Sequence, residues 1–357
     1  MIRVLHVRPR HADHQTSRGV HHLGAALGPG FDVGVWEISG VARAAIALRR
    51  ETGRTDLLHA WGTSALAAAA IWPFRHILFT PTDFPTSRQI GWIRAIAQHR
   101  DVNVICPTTT MHRALVTRGV PPQRCHLIRP GVEFGRIKRR RDRQLRTALG
   151  LDDSHHVLLA PGESTRNADH RQAAWAAAIL NVLDHKTRLL LWGRGPLARS
   201  VRRFARKLGQ PEMTILAQER LGRPIEFEEL LPAADMPVVS ATGPVPVLPI
   251  CACMAAGLPI AATVSPTVAE LLEDRHTALM TRAGVPRLLA QRILELRGDS
   301  RAQWSLADMA RTEAFEYFSL TRFLDQHRTV YRQASAGMKV EVPEQAPGAG
   351  LRFHGRA

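Results

Sequence analysis

The chain has 357 residues, 45% of them hydrophobic and 22% charged, with 48 Lys and Arg against 31 Asp and Glu for a net charge of +17. That length holds two domains of ordinary size, each with its own core, and the composition excludes a disordered or fibrous chain. The longest apolar run, Ala65 to Phe74, is about half the roughly 20 residues a bilayer-spanning helix needs, so no transmembrane segment is expected.

The opening MIRVLHVRPR alternates like a strand and has neither the apolar stretch nor the small-residue cleavage site of a secretory signal. A cytoplasmic protein is expected. In the first part of the chain, strands are predicted at Arg3–Val7, Asp32–Trp36, Leu57–Ala60, Ile77–Thr80, Val102–Cys106 and Cys125–Ile128. Amphipathic helices are predicted between them, near Ser17–Leu27, Val41–Arg50, Ser64–Ile71, Ser87–Gln98 and Thr109–Arg118. This alternation is the signature of a parallel sheet covered on both faces. A basic stretch over 134–150 follows and reads as a linker.

The pattern then resumes, with strands near His156–Ala160, Arg188–Trp192, Met213–Leu216, Pro237–Val239, Pro259–Ala262 and Ala278–Met280. Helices are expected near Asp169–Leu183, Pro196–Leu208, Glu226–Ala233, Val247–Ala256 and Thr267–Glu273, and helical structure from Val285 to about Gln333. The predicted class is α/β, with two doubly wound, Rossmann-like domains at 1–133 and 151–318. The segment 319–333 is expected to form a C-terminal helix that crosses back to the first domain. Residues 334–357, rich in Gly, Pro and Ala, are expected to be a disordered tail. Two open α/β domains carry their ligand crevices at the carboxyl ends of the strands, so a facing pair would form a deep cleft.

Four cysteines lie at 106, 125, 251 and 253, and the one-residue gap in the last pair fits neither a CxxC redox motif nor a zinc knuckle. Buried thiols are expected. His11, Asp13 and His14 cluster after the first strand, but no third placed ligand follows, and no metal or cofactor is expected. The charge excess is concentrated in two places. Arg136, Lys138, Arg139, Arg140, Arg141, Arg143 and Arg146 form one run, while Arg199, Arg202, Arg203 and Arg206 share a helix face opposite Leu197, Val201, Phe204 and Leu208. Nucleic acid, an anionic membrane surface, or a nucleotide diphosphate with an anionic acceptor could each use such charge. Nucleic acid fits poorly, since there is no reader helix and only two Tyr are available for stacking.

Several stretches carry a family likeness in the right order. They are Asp56-Leu57-Leu58-His59-Ala60, Leu127-Ile128-Arg129-Pro130-Gly131-Val132-Glu133, Leu190-Leu191-Trp192-Gly193-Arg194-Gly195-Pro196 and the region from Leu230 to Met280. The chain resembles the family-four glycosyltransferases over about 2–333. The resemblance implies the GT-B arrangement of two Rossmann-like domains facing across a cleft. It also implies a nucleotide-sugar donor held by the second domain and a polysaccharide or lipid-linked, anionic acceptor on the first. Basic patches would then suit peripheral contact with the inner membrane surface.

The sequence departs from the family pattern at four stations. The family's two donor-site glutamates, eight positions apart, fall on Pro244 and Ala252. Its arginine and lysine after the first strand of the second domain fall on Glu163 and Ala168. Arg166 and Arg171 have the same five-residue spacing, so a longer turn would set two guanidiniums there, with Arg194 as a further candidate for the diphosphate. The glycine-rich loop after the opening strand reads Arg8 to Arg18 without glycine, leaving Arg10 and Arg18 for an anionic acceptor. The family's histidine after the fourth strand becomes Thr82, beside Asp83. Gly193, Gly195 and Glu270 complete the expected donor contacts. Two other readings remain open at this point: a catalytically degenerate relative kept as a binding or scaffold partner, and a basic nucleic-acid-binding protein.

Overall fold

The computed structural model describes residues 1–342, arranged as two compact units: Met1–Gly131 with the chain from Leu320 onward, and Val132–Ser319. In chain order the first unit runs β1 (Ile2–Pro9), α1 (His14–Ala26), β2 (Phe31–Ile38), α2 (Val41–Leu48), β3 (Leu57–Trp61), α3 (Thr63–Ala69), β4 (Ile77–Thr80), α4 (Ser87–His99), β5 (Val102–Cys106), α5 (Thr109–Thr117) and β6 (Cys125–Leu127). The second runs α6 (Arg143–Ala148), β7 (His156–Ala160), α7 (His170–Asp184), β8 (Thr187–Leu191), α8 (Ala198–Lys207), β9 (Thr214–Leu216), α9 (Ala217–Leu221), β10 (Met236–Val239), α10 (Leu248–Ala256), β11 (Ala261–Val264), β12 (Leu279–Arg282), α11 (Pro286–Gly298) and α12 (Ser300–Phe318). The last helix, α13 (Leu320–Ser335), belongs to the first unit.

Each unit holds one six-stranded parallel sheet, ordered β2-β1-β3-β4-β5-β6 in the first and β12-β11-β10-β7-β8-β9 in the second. The fold is therefore α/β with two doubly wound sheets. Strands such as Leu57–Trp61 and Val102–Cys106 are buried along their whole length, as sheets covered on both faces require. In the first unit, β1 pairs with β3 so that His6 stands opposite His59, and Val4, Leu57, Trp61 and Leu78 pack against α1 and α13. In the second unit, α7, α8 and α11 cover one face and α10 and α12 contribute to the core on the other. All four cysteines are buried. No helix of the described residues is long and apolar enough to cross a membrane.

Four expectations need correction. The basic stretch 134–150 is not a linker. Leu149 and Leu151 lie in the core of the second unit, and Arg146, 1% exposed, donates to the carbonyls of Ala233, Asp152 and His155 and meets Asp235 at 3.3 Å. Buried carbonyls gathered from three segments satisfy a guanidinium that would otherwise have to stay in water. No helix forms at Thr267–Glu273, where a hydrogen-bonded turn stands instead. The Glu273 amide is held by Thr277 Oγ1 at 2.8 Å, which turns the chain into β12 before a second helical turn can close. Phe227–Ala233, expected as an α-helix, is a 3₁₀ helix containing Pro232, whose missing N–H and ring disfavour the α-form. The expected disordered tail does not begin at Ala334: α13 reaches Ser335, with Ala334 and Val340 buried, while residues 343–357 lie outside the described residues.

Candidate functional site

The second sheet reverses its strand order at β7, because the chain leaves β7 toward β8 and β9 and then returns to lay β10 on β7's other edge. In open α/β sheets, ligands bind outside the carboxyl ends of the strands at such a point. Three loops meet there: 161–169 after β7, 192–197 after β8, and 240–247 after β10. The Ser164 amide donates to the Arg194 carbonyl at 2.9 Å and the Leu197 amide to the Ser164 carbonyl at 3.0 Å. Gly195 makes this approach feasible. Its φ is +93°, and a Cβ there would stand 2.6 Å from the Ser164 nitrogen and 2.7 Å from its oxygen. Gly193, at φ +96°, begins the same turn beside Gln218.

The β7 loop is braced from within. His170, 2% exposed, bonds Ser164 Oγ at 2.9 Å and the Pro161 carbonyl, and burial pushes its pKa down to about 4. Asn167 ties the loop to the one after β10: its side chain donates to the Pro244 carbonyl at 3.0 Å, and its own carbonyl accepts from Thr242 at 2.9 Å. Pro249 packs on Gly162, whose φ is +80°. Ser164, Asn167 and His170 were passed over in the sequence. A small polar residue, an amide and a histidine crowded after a buried strand were the only signal of them.

The structure separates the expected phosphate cations. Arg194 lies 4.8 Å over the Trp192 ring and 3.6 Å from Glu163, so the carboxylate that replaces the family's arginine is met by a guanidinium from the next loop. Arg171 donates to Ser200 Oγ at 2.7 Å on the outer surface of α7 and α8. Arg166 is exposed at the tip of the β7 loop, with no hydrogen-bond or ion-pair partner among the described residues. Next to the glycine turn, Gly193, Gly195, Arg199, Gln218, Glu219 and Arg223 line an open groove of about 580 Å³. Arg199 and Arg202 share Glu219 at 3.2 and 2.5 Å.

At the family's glutamate positions, Ala252 is fully buried in α10 and Pro244 lends only its carbonyl, to Asn167. Glu270, half-buried, sits in the 266–271 turn rather than on a helix. Asp235 is a scaffold group, accepting from the Val157 amide at 2.8 Å and pairing with Arg141 and Arg146.

The first sheet has its own reversal, between β1 and β3. Pro9, Gly62 and Thr82 converge there. A Cβ on Gly62 would lie 3.0 Å from Thr82 Oγ1 and 3.6 Å from Pro9, and the glycine's φ is +82°. Thr82 and Asp83 are adjacent and within 3.5 Å. Asp13 caps α1 through the Thr16 amide at 2.9 Å and hydroxyl at 2.7 Å, and burial pushes its carboxyl pKa up, with the Asp83 charge adding to the rise. Arg10 is exposed and Arg18 half-buried on α1.

With this geometry in view, residues 155–299 match the family model described as Glycosyl transferases group 1. Putative glycosyltransferase EpsD of Bacillus subtilis is 25% identical over 235 residues, which are 66% of this chain and 60% of that protein. N-acetyl-alpha-D-glucosaminyl L-malate synthase of Bacillus anthracis is 22% identical over 188 residues, 53% of this chain and 48% of that one. The matches thus span about half to three fifths of these relatives. The crystal structure of HepE from Anabaena in complex with UDP-glucose superposes with a TM-score of 0.80 at 16% identity, over 95% of this chain and 100% of that one. At that identity the likeness establishes the fold, the GT-B class. The matched residues run from β7 to α11 and so contain all three loops of the second crevice.

Proposed function

We propose that the chain transfers a sugar from a nucleotide-sugar donor to a polysaccharide or lipid-linked acceptor, with the donor's nucleotide held by the second unit. The observation that carries this reading is the backbone contact between Gly195 and Ser164 at the reversal of the second sheet, beside an open groove large enough for a nucleotide. The relatives are named putative glycosyltransferase EpsD and N-acetyl-alpha-D-glucosaminyl L-malate synthase, and HepE was crystallised with UDP-glucose. In such a transfer the bond from the sugar's anomeric carbon to the diphosphate breaks and negative charge builds on the leaving phosphate. Arg166 is the cation left available to meet it, together with the amino-terminal amides of α7. Arg194 is assigned a different duty here, neutralising Glu163 so that no bare carboxylate faces the phosphates. Thr82, Asp83, Arg10 and Arg18 are the acceptor-side candidates, on the other unit. The reaction is placed in the cytoplasm, at the inner membrane surface when the acceptor is lipid-linked, a location that the net charge of +17 supports.

A panel of UDP, GDP and ADP sugars tests this by thermal stabilisation, since a ligand at about 100 times its dissociation constant adds roughly 2.7 kcal/mol. Arg166→Ala is expected to weaken the effective nucleotide about tenfold, roughly 1.4 kcal/mol, with the melting temperature of the unliganded protein unchanged. An unchanged affinity would remove Arg166 from the site, and no stabilisation by any nucleotide would remove the donor reading. One second reading has a specific observation behind it. Ala252 is buried and no carboxylate occupies either glutamate position, which favours a relative that binds the donor without turning it over. Nucleotide-sugar binding with no transfer or hydrolysis would select it.

A further inference from the structure

A surface helix of an α/β domain ordinarily turns a polar stripe to water. The helix α7 does not. Its inward positions, Ala173, Ala174, Ala176, Ala177 and Leu180, are buried against the sheet, yet its outward stripe is apolar. Trp175 is 48% exposed, Val182 65% and Leu183 66%, with Ile179 half-buried between them. The neighbouring helix α8 supplies the opposite character. Its Ser200 accepts from Arg171 and its Phe204 ring lies 6.0 Å from that of Trp175, which fixes the edge of α8 that meets α7. Residues three and four apart share a helix face, so Arg203 and Lys207 border the same edge, with Arg206 on the crest beside them. All three are exposed, and none has an acidic partner among the described residues. On the far edge, by contrast, Arg199 and Arg202 are both paired with Glu219.

We propose that the outer face of α7 and α8 docks on an anionic lipid bilayer. Trp175, Val182 and Leu183 enter the boundary between headgroups and acyl chains, and Arg203, Arg206 and Lys207 meet lipid phosphates. A tryptophan with aliphatic neighbours beside unpaired cations is the composition that binds such an interface. A second copy of the chain suits the surface less well, since a two-fold contact through it would take Arg203 and Lys207, which have no acidic partner among the described residues, out of water. The inference deepens the proposed function and rests on its lipid-linked acceptor. It names the surface that would bring the second unit to a membrane.

The test is flotation of the full chain with vesicles of phosphatidylcholine alone or mixed equally with phosphatidylglycerol, at rising salt. Partitioning onto the mixed vesicles is expected to exceed that onto the neutral ones at least about tenfold and to fall as salt screens the charge. Each cation near an anionic surface contributes about 1 kcal/mol, or about fivefold, so R203A/K207A should weaken partitioning by about 25-fold. W175A should weaken it on both vesicle types. The melting temperature of R203A/K207A should match the parent, because both side chains are exposed. The control R139A/R140A, in the other basic run, should bind as the parent does. Equal binding to both vesicle types overturns the proposal, as does parent-like binding by R203A/K207A, loss of binding only in R139A/R140A, or salt-sensitive self-association in place of vesicle binding. Nucleotide-sugar stabilisation measured without vesicles reports on the donor reading separately, so either reading can fail alone.

Discussion

Where α13 covers the first sheet, the buried layer is rich in polar rings: His6, His59 and Trp61 from the strands, His327 and Tyr331 from the helix, and Thr80 at the end of β4. Where α7 covers the second sheet, the layer is aliphatic: Leu158, Ala160, Leu189, Leu191, Val238 and the alanines of the helix. Polar groups of the second unit gather instead at the strand ends, in the Ser164–His170 brace and the Asn167–Pro244 tie. The first unit thus fastens its last helix through buried imidazoles, whose charged form burial disfavours. The second leaves its sheet core indifferent to pH and concentrates specificity where a ligand would sit. Trp61 donates to His6 Nδ1 at 3.0 Å, which requires a neutral ring there, and His59 bridges Tyr331 at 2.7 Å and Thr80 at 2.8 Å in a layer whose burial disfavours charge.

Acid should expose this contrast with the largest effect. Burial holds His6 down at about 3 and His327 and His126 at about 4, and pushes His59 well below its ordinary value, with neighbouring histidines adding to the shift in His6 and His59. An unfolded histidine takes its proton near 6.5, so between 6.5 and about 4 the unfolded chain binds more protons than the folded one. The stabilisation is complete above about 6.5 and is lost as pH falls. By pH 4.5 His6, His126 and His327 each cost roughly 2–3 kcal/mol, together comparable to the stability of a whole domain, and His59 adds in the same direction. The second unit has one histidine held that low, His170, with smaller shifts at His155 and His156. Hydrogen exchange near pH 4.5 should therefore open β1, β3 and α13 before β7 and β8. The reverse order would show that the buried rings do not govern acid stability.

The next effect belongs to the second unit alone. Gly195→Ala places a Cβ against the Ser164 backbone at a positive φ that side chains rarely adopt, and neither flexible side chain nor open space can absorb it. Left-handed strain together with a displaced loop should cost about 3 kcal/mol. Urea unfolding should show the second unit's transition moved to lower urea with the first unit's unmoved, and stabilisation by a nucleotide sugar should be lost with it. Wild-type unfolding would mean that the two loops stand further apart than described.

How much of this was legible in the sequence depended on how local each cause was. Strands Ile77–Thr80, Val102–Cys106 and His156–Ala160 were read with the bounds observed, because a short apolar run between turn residues is a local signal. Arg146 was read as part of a basic linker, since its burial is decided by carbonyls at 152, 155 and 233 that periodicity cannot see. The Glu163–Arg194 pair spans two loops, so the chain read linearly showed only a misplaced carboxylate. The helix expected around Glu270 failed for the same reason, with Thr277 reaching back to take the amide that would have continued it. Of the second crevice, the glycines at 193 and 195 were visible as a motif. Asn167 and His170, which hold the crevice in shape, became visible only when β7 and β10 were placed side by side.

The smallest of these effects isolates a single bond of the polar layer. Tyr331 is fully buried, burial pushes its phenol pKa well up, and its hydroxyl meets His59 Nδ1 at 2.7 Å. Tyr331→Phe keeps the ring and its edge contact with His59 at 5.8 Å, but it strands an imidazole nitrogen where water cannot reach. A neutral buried group left without its partner costs about 1–2 kcal/mol. The loss should appear only in the first unit, as faster exchange along α13 and β3, with β7 and β8 unchanged. A loss of less than a few tenths of a kcal/mol would mean that His59 is held by Thr80 and by stacking on Trp61 at 4.4 Å, so that packing rather than hydrogen bonding fastens the helix. The contrast between the two units would then lie in ring packing alone, with the acid response left as its only trace.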